Sequence, residues 1–263
     1  MRLNGGIIGQ KLQNSSATAS GIWNTKKNFV EQNAKTFPSM EVVKTNLQLH
    51  LDAGNSNSYP GSGTSWFDIS GNARHFSWNS VNFTSGANPY FSTSGRRCTG
   101  PASNSFGITN TSGYTIYLIM YQNSANNSAA FKFYGSVGNN RAITAHCSWS
   151  DGNIYFDQGG CCDADTRLSV SGGTMNTWNI FVFRRATTTR QLFKNNSLLQ
   201  SNTTVAANPG FNTTAVDLGG SDEYGGASSS WDARLSQFIV YNRALTTTEM
   251  NTNYAALKTR YGL

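Results

Sequence analysis

From Leu47 onward, short apolar or alternating runs are separated by stretches rich in Gly, Asn and Ser. Each run has a length that suits one strand, and β-branched and aromatic residues dominate it. Representative runs are LQLHLD, PYFST, YTIYLIMY, AAFKFYG, NIYFD, WNIFVFRR and RQLFKNN. Turn sequences such as SYPGSG and LGGSDEYGG lie between them. This pattern predicts an all-β fold in which two antiparallel sheets form a sandwich.

One helix is predicted at the C-terminus, after the strand sequence LSQFIVYN. Thr246 and Glu249 have the T-x-x-E spacing of a capping box, which places the start of the helix at this point. The apolar residues that follow at helical spacing are Met250, Tyr254, Leu257 and Tyr261. We expect this stripe to pack on the sandwich.

The first 45 residues differ chemically from the rest of the chain, because they carry +4 of the total net charge of +7. We interpret 1–45 as an extended N-terminal arm and 46–263 as the folded domain. The arm is too short to bury a core of its own, so its apolar residues are expected to dock on a partner or on the main domain. The candidate docking residues are Ile7, Ile8, Trp23 and Phe29. The alternative is a leader with no docking role.

Composition narrows the class of protein. Aromatic residues make up 12% of the chain, which indicates a folded core rather than a disordered one. No apolar run approaches the roughly 18 residues of a membrane span, and the N-terminus lacks the apolar region of a secretory signal. The basic residues are spread along the chain rather than grouped with aromatic residues, so no nucleic-acid partner is predicted.

Residues suited to catalysis are few. A glycoside hydrolase needs two carboxylates placed across a cleft, but this chain has few glutamates. The neighbouring acids Asp163 and Asp165, like Asp222 and Glu223, lie in loop sequences, where solvated side chains explain them; a metal site or catalysis is the alternative. No nucleophile motif accompanies the histidines. We therefore predict no catalytic residues, no metal ligands, no cofactor and no enzymatic activity.

The four cysteines have no C-x-x-C spacing. We interpret them as reduced thiols that pack as small apolar side chains in or near a sheet, with metal or redox chemistry as the alternative. They are Cys98, Cys147, Cys161 and Cys162.

Some loops combine aromatic side chains with amides and carboxylates. Sugar rings stack on aromatic faces while such polar groups bond their hydroxyls, so these loops hold candidate glycan contacts. The candidates are Trp149, Asp151, Asn153, Tyr224 and Trp231. Packing in the core is the alternative for each aromatic residue.

Three stretches together resemble laminin-G-like (concanavalin A-like, pentraxin-like) jelly-roll domains, in versions found in bacteriophage structural proteins. They are LHLDAGNSNSYPGSGTSWFDISGNARHF, FDQGGCC and LSQFIVYNRALTTTEMNTNYAALKTRYGL, and the resemblance spans about residues 46–263. The leader GIIGQKLQNSSATASGIWNTKKNFVEQNAKTFP is similar to segments that precede such domains in virion proteins of marine phages. The resemblance implies a jelly roll that binds glycan or protein, often with a structural calcium ion. Asp52 matches one position associated with that ion, but Ser236 stands where many relatives carry an acid.

The resemblance also implies a function. It indicates a virion surface protein, assembled in the host cytoplasm, in which residues 1–45 bind other virion proteins and the sandwich faces outward. The leading hypothesis is a tail-fibre or adhesin-type subunit that binds host-surface glycan, as a homotrimer or in many copies per particle. The alternative is a capsid decoration protein that coats or stabilises the shell. A polysaccharide depolymerase is a third possibility, which would depend on Asp163 or Asp222.

Overall fold

The computed structural model describes residues 41–109, 111–136, 140–173, 175–203, 208–220 and 231–263, and the structural statements below concern these residues. The chain separates into two units, Met1–Val42 and Val43–Leu263, and every element given below belongs to the second. The predicted docking residues Ile7, Ile8, Trp23 and Phe29 lie outside the described residues. The boundary after residue 45 and the docking role of the arm therefore stay predictions.

The predicted strands form two antiparallel sheets, each with eight strands among the described residues. In spatial order, seven strands of the first sheet are β14 (Ser197–Asn202), β13 (Thr189–Lys194), β12 (Trp178–Ala186), β7 (Tyr114–Gln122), β16 (Ala233–Tyr241), β5 (Tyr90–Ser92) and β4 (Phe83–Thr84). The eighth strand, β1 (Leu47–Asp52), pairs with β16 off this path.

The second sheet takes the remaining strands. In spatial order they are β11 (Arg167–Ser171), β10 (Asn153–Gln158), β9 (Arg141–His146), β8 (Phe131–Tyr134), β15 (Ala215–Leu218), β6 (Cys98–Ala102), β3 (Phe76–Trp78) and β2 (Ser65–Trp66). Short 3-10 turns occur at Ser103–Phe106 and Thr259–Tyr261. This arrangement confirms the predicted two-sheet sandwich, and half of its strand pairs join strands that are not consecutive in sequence.

An aromatic core joins the two sheets. Phe131 of the second sheet lies 5.2 Å from Phe183 and 5.3 Å from Phe238 of the first sheet, measured between ring centroids. Phe156 also reaches across to Phe183, at 5.3 Å. All four rings are fully buried. Each such pair stabilises the fold by about 0.5–1.5 kcal/mol beyond the stabilisation that comes from burying the rings. These contacts therefore determine how the two sheets pack.

The C-terminal helix α1 (Thr247–Lys258) is confirmed, together with its capping box. The hydroxyl of Thr246 accepts a hydrogen bond from the backbone N–H of Glu249, whose carboxylate accepts one from the backbone N–H of Thr246. Asn253, which is polar and was not part of the predicted stripe, is buried and donates to Tyr241 Oη at 3.1 Å. The helix therefore docks on β16 through a polar contact as well as apolar ones.

Candidate functional site

Three of the predicted glycan contacts lie together at the turn that joins β9 to β10, and the third of them, Asn153, is the first residue of β10. The backbone N–H of Trp149 donates to the carbonyl of Asn153 at 2.8 Å, which closes the turn, and Gly152 has the positive φ of 81° that the turn requires. Asp151 Oδ1 accepts the backbone N–H of Asn153 at 2.9 Å. Asp151 is exposed, while Trp149 and Asn153 are half-buried. The turn thus presents an aromatic ring, a carboxylate and an amide at one place.

Tyr155 completes this group, although it lies on a strand rather than in the turn. Its hydroxyl donates to Asp151 Oδ2, and its ring centroid lies 6.4 Å from that of Trp149 with the planes at 79°. The hydrogen bond from Tyr155 lowers the pKa of Asp151 and raises the pKa of Tyr155 itself. Sequence reasoning missed Tyr155, but the alternation in NIYFD could have placed it on the same face as Asn153.

Arg167 lies behind Tyr155 on the neighbouring strand β11. Its guanidinium carbon is 4.2 Å from the centroid of the Tyr155 ring, a cation–π contact. Its Nε and Nη2 donate to the two carboxylate oxygens of Asp157 at 2.6 and 2.7 Å, in the bidentate geometry that arginine favours. Arg167 and Asp157 are direct register partners in the sheet. Because Asp157 fixes the guanidinium group, Arg167 supports one face of the Tyr155 ring.

Asp157 is the buried centre of the polar network under the turn. Besides Arg167, it accepts a hydrogen bond from Arg141 Nη1 at 2.6 Å and lies 3.6 Å from His146 Nε2. Burial raises the pKa of the Asp157 carboxyl, but the bonds from Arg167 and the contact with His146 outweigh it and hold the pKa at about 2. A carboxylate kept ionised in this way is unsuited to the proton donation that a general acid performs.

His146 connects this network to the aromatic residues of the turn. Its ring lies 4.7 Å from the Trp149 ring at 86° and 6.3 Å from the Tyr155 ring at 79°. Its Nδ1 is 3.2 Å from the carbonyl of Ser128. The position of Trp149 is therefore set by a buried side chain from the same sheet, so the turn is a supported site rather than a free loop.

Trp231 lies in the core. Its side chain is fully buried, and its Nε1 donates to the carbonyl of Cys147 at 2.9 Å. This burial corrects the prediction that Trp231 contacts a glycan, because a ring with no exposed face offers nothing on which a sugar can stack. Tyr224, the remaining candidate, lies outside the described residues, as does Asp222.

The cysteines fall into two groups. Cys98 and Cys147 are fully buried, and burial raises the pKa of both thiols. Cys161 and Cys162 lie in the turn between β10 and β11, where the first is half-buried and the second exposed. Only the first group therefore packs in the core in the way that the sequence predicted.

The position associated with calcium does not fit that ion. The Asp52 carboxylate is bound by Arg260, whose Nη1 lies 2.5 Å from Oδ1, and the same oxygen accepts the backbone N–H of Gly54 at 2.8 Å. The hydroxyl of Ser236 lies 2.8 Å from the hydroxyl of Tyr261. Calcium requires six to eight oxygen ligands, whereas here a guanidinium group takes the place of a cation. Among the described residues, no group of three or more His, Cys, Asp or Glu could hold a metal ion.

Within the described part of the chain, no helix combines the length and the apolar character that crossing a membrane requires. Asp163, proposed from the sequence as a depolymerase residue, is exposed in the turn before β11.

Several solved structures share this fold. The binding domain of Paraclostridial Mosquitocidal Protein 1 is 16% identical with a TM-score of 0.61, over 80% of this chain and 52% of that one. The binding domain of botulinum neurotoxin serotype D/C is 10% identical with a TM-score of 0.60, over 81% and 53%. Trypanosoma rangeli sialidase is 12% identical with a TM-score of 0.62, over 90% and 39%. This chain thus spans only about two fifths to a half of those structures, and the likeness concerns the fold.

A search of curated proteins found no match to this sequence. A family model, by contrast, matches residues 92–251, which is more than half of the chain. The matched segment runs from the end of β5 into helix α1 and includes the turn that carries Trp149. The chain therefore belongs to the concanavalin A-like lectin/glucanases superfamily.

Proposed function

We propose that this chain is a bacteriophage virion surface protein, a tail-fibre or adhesin-type subunit that binds glycan on the host surface. The observation that carries the glycan part is the grouping of Trp149 and Tyr155 with Asp151 and Asn153 at one turn. The resemblance of the sequence to bacteriophage structural proteins supports the virion part. Membership of a superfamily of lectins and glucanases supports a carbohydrate ligand.

The turn offers complementary groups for a sugar ring. The apolar face of the ring stacks on Trp149, and the hydroxyls reach the polar side chains beside it. Asp151 accepts hydrogen bonds only, because its lowered pKa keeps it ionised at neutral pH, while the amide of Asn153 both donates and accepts. The network of Arg167 and Asp157 holds these groups in place before a ligand binds, which reduces the entropy lost on binding.

Copy number makes such a site effective. A single shallow turn gives weak binding, but linked copies raise the effective concentration and hence the overall affinity. We therefore propose that the protein acts as a homotrimer or in many copies per particle, with residues 1–45 bound to other virion proteins. In this arrangement the protein is assembled in the host cytoplasm and leaves with the particle. No calcium, other cofactor or catalytic step is required.

Binding to purified bacterial polysaccharides tests the glycan part. We expect the full chain to bind at least one lipopolysaccharide O-chain or capsular polysaccharide from a panel, and Trp149→Ala to weaken that binding by about tenfold or more. The matched control is Phe67→Ala, which removes an exposed ring next to β2, at the opposite edge of the second sheet. No binding across the panel, or equal loss in both variants, contradicts the proposal.

Immunogold labelling of intact particles tests the virion part. Label at the tail supports the adhesin, and truncation of residues 1–45 should then abolish incorporation while glycan binding is kept. Label over the head, with lower thermal stability of particles that lack the protein, would instead establish capsid decoration. Release of reducing ends from the bound polysaccharide would establish a depolymerase.

A further inference from the structure

A second group of aromatic residues lies on the outward face of the first sheet. Trp178 on β12 is the register partner of Tyr121 on β7, and Tyr121 is in turn the register partner of Arg234 on β16. On the other side of Arg234, its register partner on β5 is Ser92. Tyr90 lies two residues before Ser92 on the same strand and completes the group. We call Tyr90, Tyr121, Trp178 and Arg234 the arginine–aromatic patch.

Strand alternation shows which way the patch faces. The residues next to its members along the strands are Met120, Leu235 and Phe91, and all three are buried in the core between the sheets. Successive side chains of a strand point to opposite faces, so the patch points away from the core. Each of its members is half-buried, so the protein fully encloses none of the four.

The rings surround the guanidinium group. The Arg234 guanidinium carbon lies 4.2 Å from the Tyr121 centroid and 5.2 Å from the Tyr90 centroid. The Trp178 ring lies 5.8 Å from Tyr121 and 6.1 Å from Tyr90. Trp178 also packs at 5.0 Å on Tyr261, which is buried, so the patch is anchored to the C-terminal turn. These contacts hold the four side chains in one arrangement without any ligand.

Within the described part of the chain, no side chain neutralises the charge of the patch. Among the described residues, the Arg234 guanidinium makes no hydrogen bond or ion pair, and the same holds for Tyr90 Oη, Tyr121 Oη and Trp178 Nε1. The acid two residues before Arg234 on the chain, Asp232, is bound instead by Asn123 at 2.9 Å and Ser124 at 2.6 Å. The patch therefore presents a positive charge and several hydrogen-bond donors between aromatic faces.

This chemistry selects the ligand. A guanidinium group binds a carboxylate through two parallel hydrogen bonds, while tyrosine hydroxyls and an indole N–H can donate to further oxygens. The aromatic faces favour a ring with an apolar side rather than a small free anion. A carboxylated sugar ring, such as a uronic acid in an acidic polysaccharide, carries both features on one residue.

We propose that the arginine–aromatic patch is a binding site for a carboxylated sugar, separate from the turn that contains Trp149. The carboxylate of the sugar pairs with Arg234, and the sugar ring stacks on the aromatic side chains of the patch. The proposal does not depend on the site at Trp149, because the two sites lie on different sheets. A protein with both sites can bind one acidic polysaccharide at two points, or it can bind two polysaccharide molecules at once.

Titration of the full chain with oligogalacturonate, at low salt, tests the proposal by calorimetry. We expect binding that weakens as salt is added and that is absent for the methyl-esterified oligomer, which has lost its carboxylates. Arg234→Gln should weaken binding by about tenfold or more, and Arg234→Lys should weaken it less because the charge remains. Trp178→Ala should also weaken it.

Two controls separate this site from the other interpretations. Arg96→Gln removes a charge at a half-buried arginine outside the patch that donates to the carbonyl of Ser94, and it should leave binding unchanged. Phe67→Ala, which removes an exposed ring outside both proposed sites, should likewise leave oligogalacturonate binding unchanged. Equal affinity for the ester, equal loss in Arg96→Gln and Arg234→Gln, or no binding by the wild type overturns the proposal. Self-association that Trp178→Ala abolishes, without sugar binding, would overturn it in favour of a protein interface.

Discussion

The guanidinium group of Arg260 lies 2.5 Å from the carboxylate of Asp52 and joins the C-terminal turn to the first strand of the domain. Burial lowers the pKa of Arg260, but the hydrogen bond and the charge of Asp52 raise that pKa by more, so the Arg260 guanidinium stays ionised. The Asp52 side chain is only 7% exposed, so it would be a buried, unpaired charge if the arginine were removed. The C-terminal turn is thereby held to β1 through charge, while Tyr261 holds it to β16, because the Tyr261 hydroxyl accepts a hydrogen bond from Gln237 Nε2 at 2.8 Å.

Replacement of Arg260 should destabilise the protein. We expect Arg260→Gln to lower the free energy of unfolding by about 1–2 kcal/mol, a moderate loss because Arg260 itself is partly exposed to solvent. Urea unfolding measures this change. Lys258→Gln, at the last residue of helix α1, removes a charge that has no carboxylate partner among the described residues, and it should cost less than about 0.5 kcal/mol. An equal loss in both variants would mean that the Asp52 pair contributes nothing specific.

Calcium should not affect stability. Because Arg260 already binds the Asp52 carboxylate, we expect the same melting temperature in millimolar calcium and in EDTA. Differential scanning calorimetry of the full chain checks this. A clear rise of the melting temperature with calcium in the wild type would show that the ion binds the folded chain and would contradict our interpretation of this position.

Acid should weaken the second sheet through Asp157. Its pKa falls from the ordinary 3.8 to about 2 in the folded chain, so the folded state binds a proton less readily than the unfolded state. The resulting stabilisation, about 2 kcal/mol, is complete above about pH 4 and is lost as the pH falls toward about 2. Unfolding measured across this range should show the loss. Asp157→Asn should have a flatter profile, whereas the exposed Asp163→Asn should follow the wild type.

Trp231 should matter for stability rather than for ligand binding. Trp231→Ala should lower the free energy of unfolding by about 3–5 kcal/mol, because it opens a large cavity between the sheets. Trp231→Phe keeps much of the volume and removes the bond to Cys147, so it should cost less and should bind polysaccharide like the wild type. If a folded Trp231→Phe chain lost polysaccharide binding, the original prediction that Trp231 contacts a glycan would be correct.

Local features were open to prediction from the sequence. Short apolar or alternating runs located β1, β7, β10 and β12, because the side chains that a strand buries are mostly apolar and lie within a few residues of one another. The capping box at Thr246 placed the start of helix α1, since its hydrogen bonds join residues three apart. The same locality explains why Trp149, Asp151 and Asn153 form one turn.

Tertiary structure alone decided the remaining relationships. Trp149 and Trp231 both lie between two polar neighbours in the sequence, yet one is half-buried beside a turn and the other is fully buried. Arg260 finds Asp52 across 208 residues of sequence, and Arg234 meets its aromatic partners only because β5, β16, β7 and β12 are neighbours in one sheet. The sequence by itself determined the all-β class, many of the strands and the helix cap, because these depend on residues a few positions apart. Sheet order and register decided which distant side chains meet, since a shift of one residue in register sends every side chain of a strand to the opposite face.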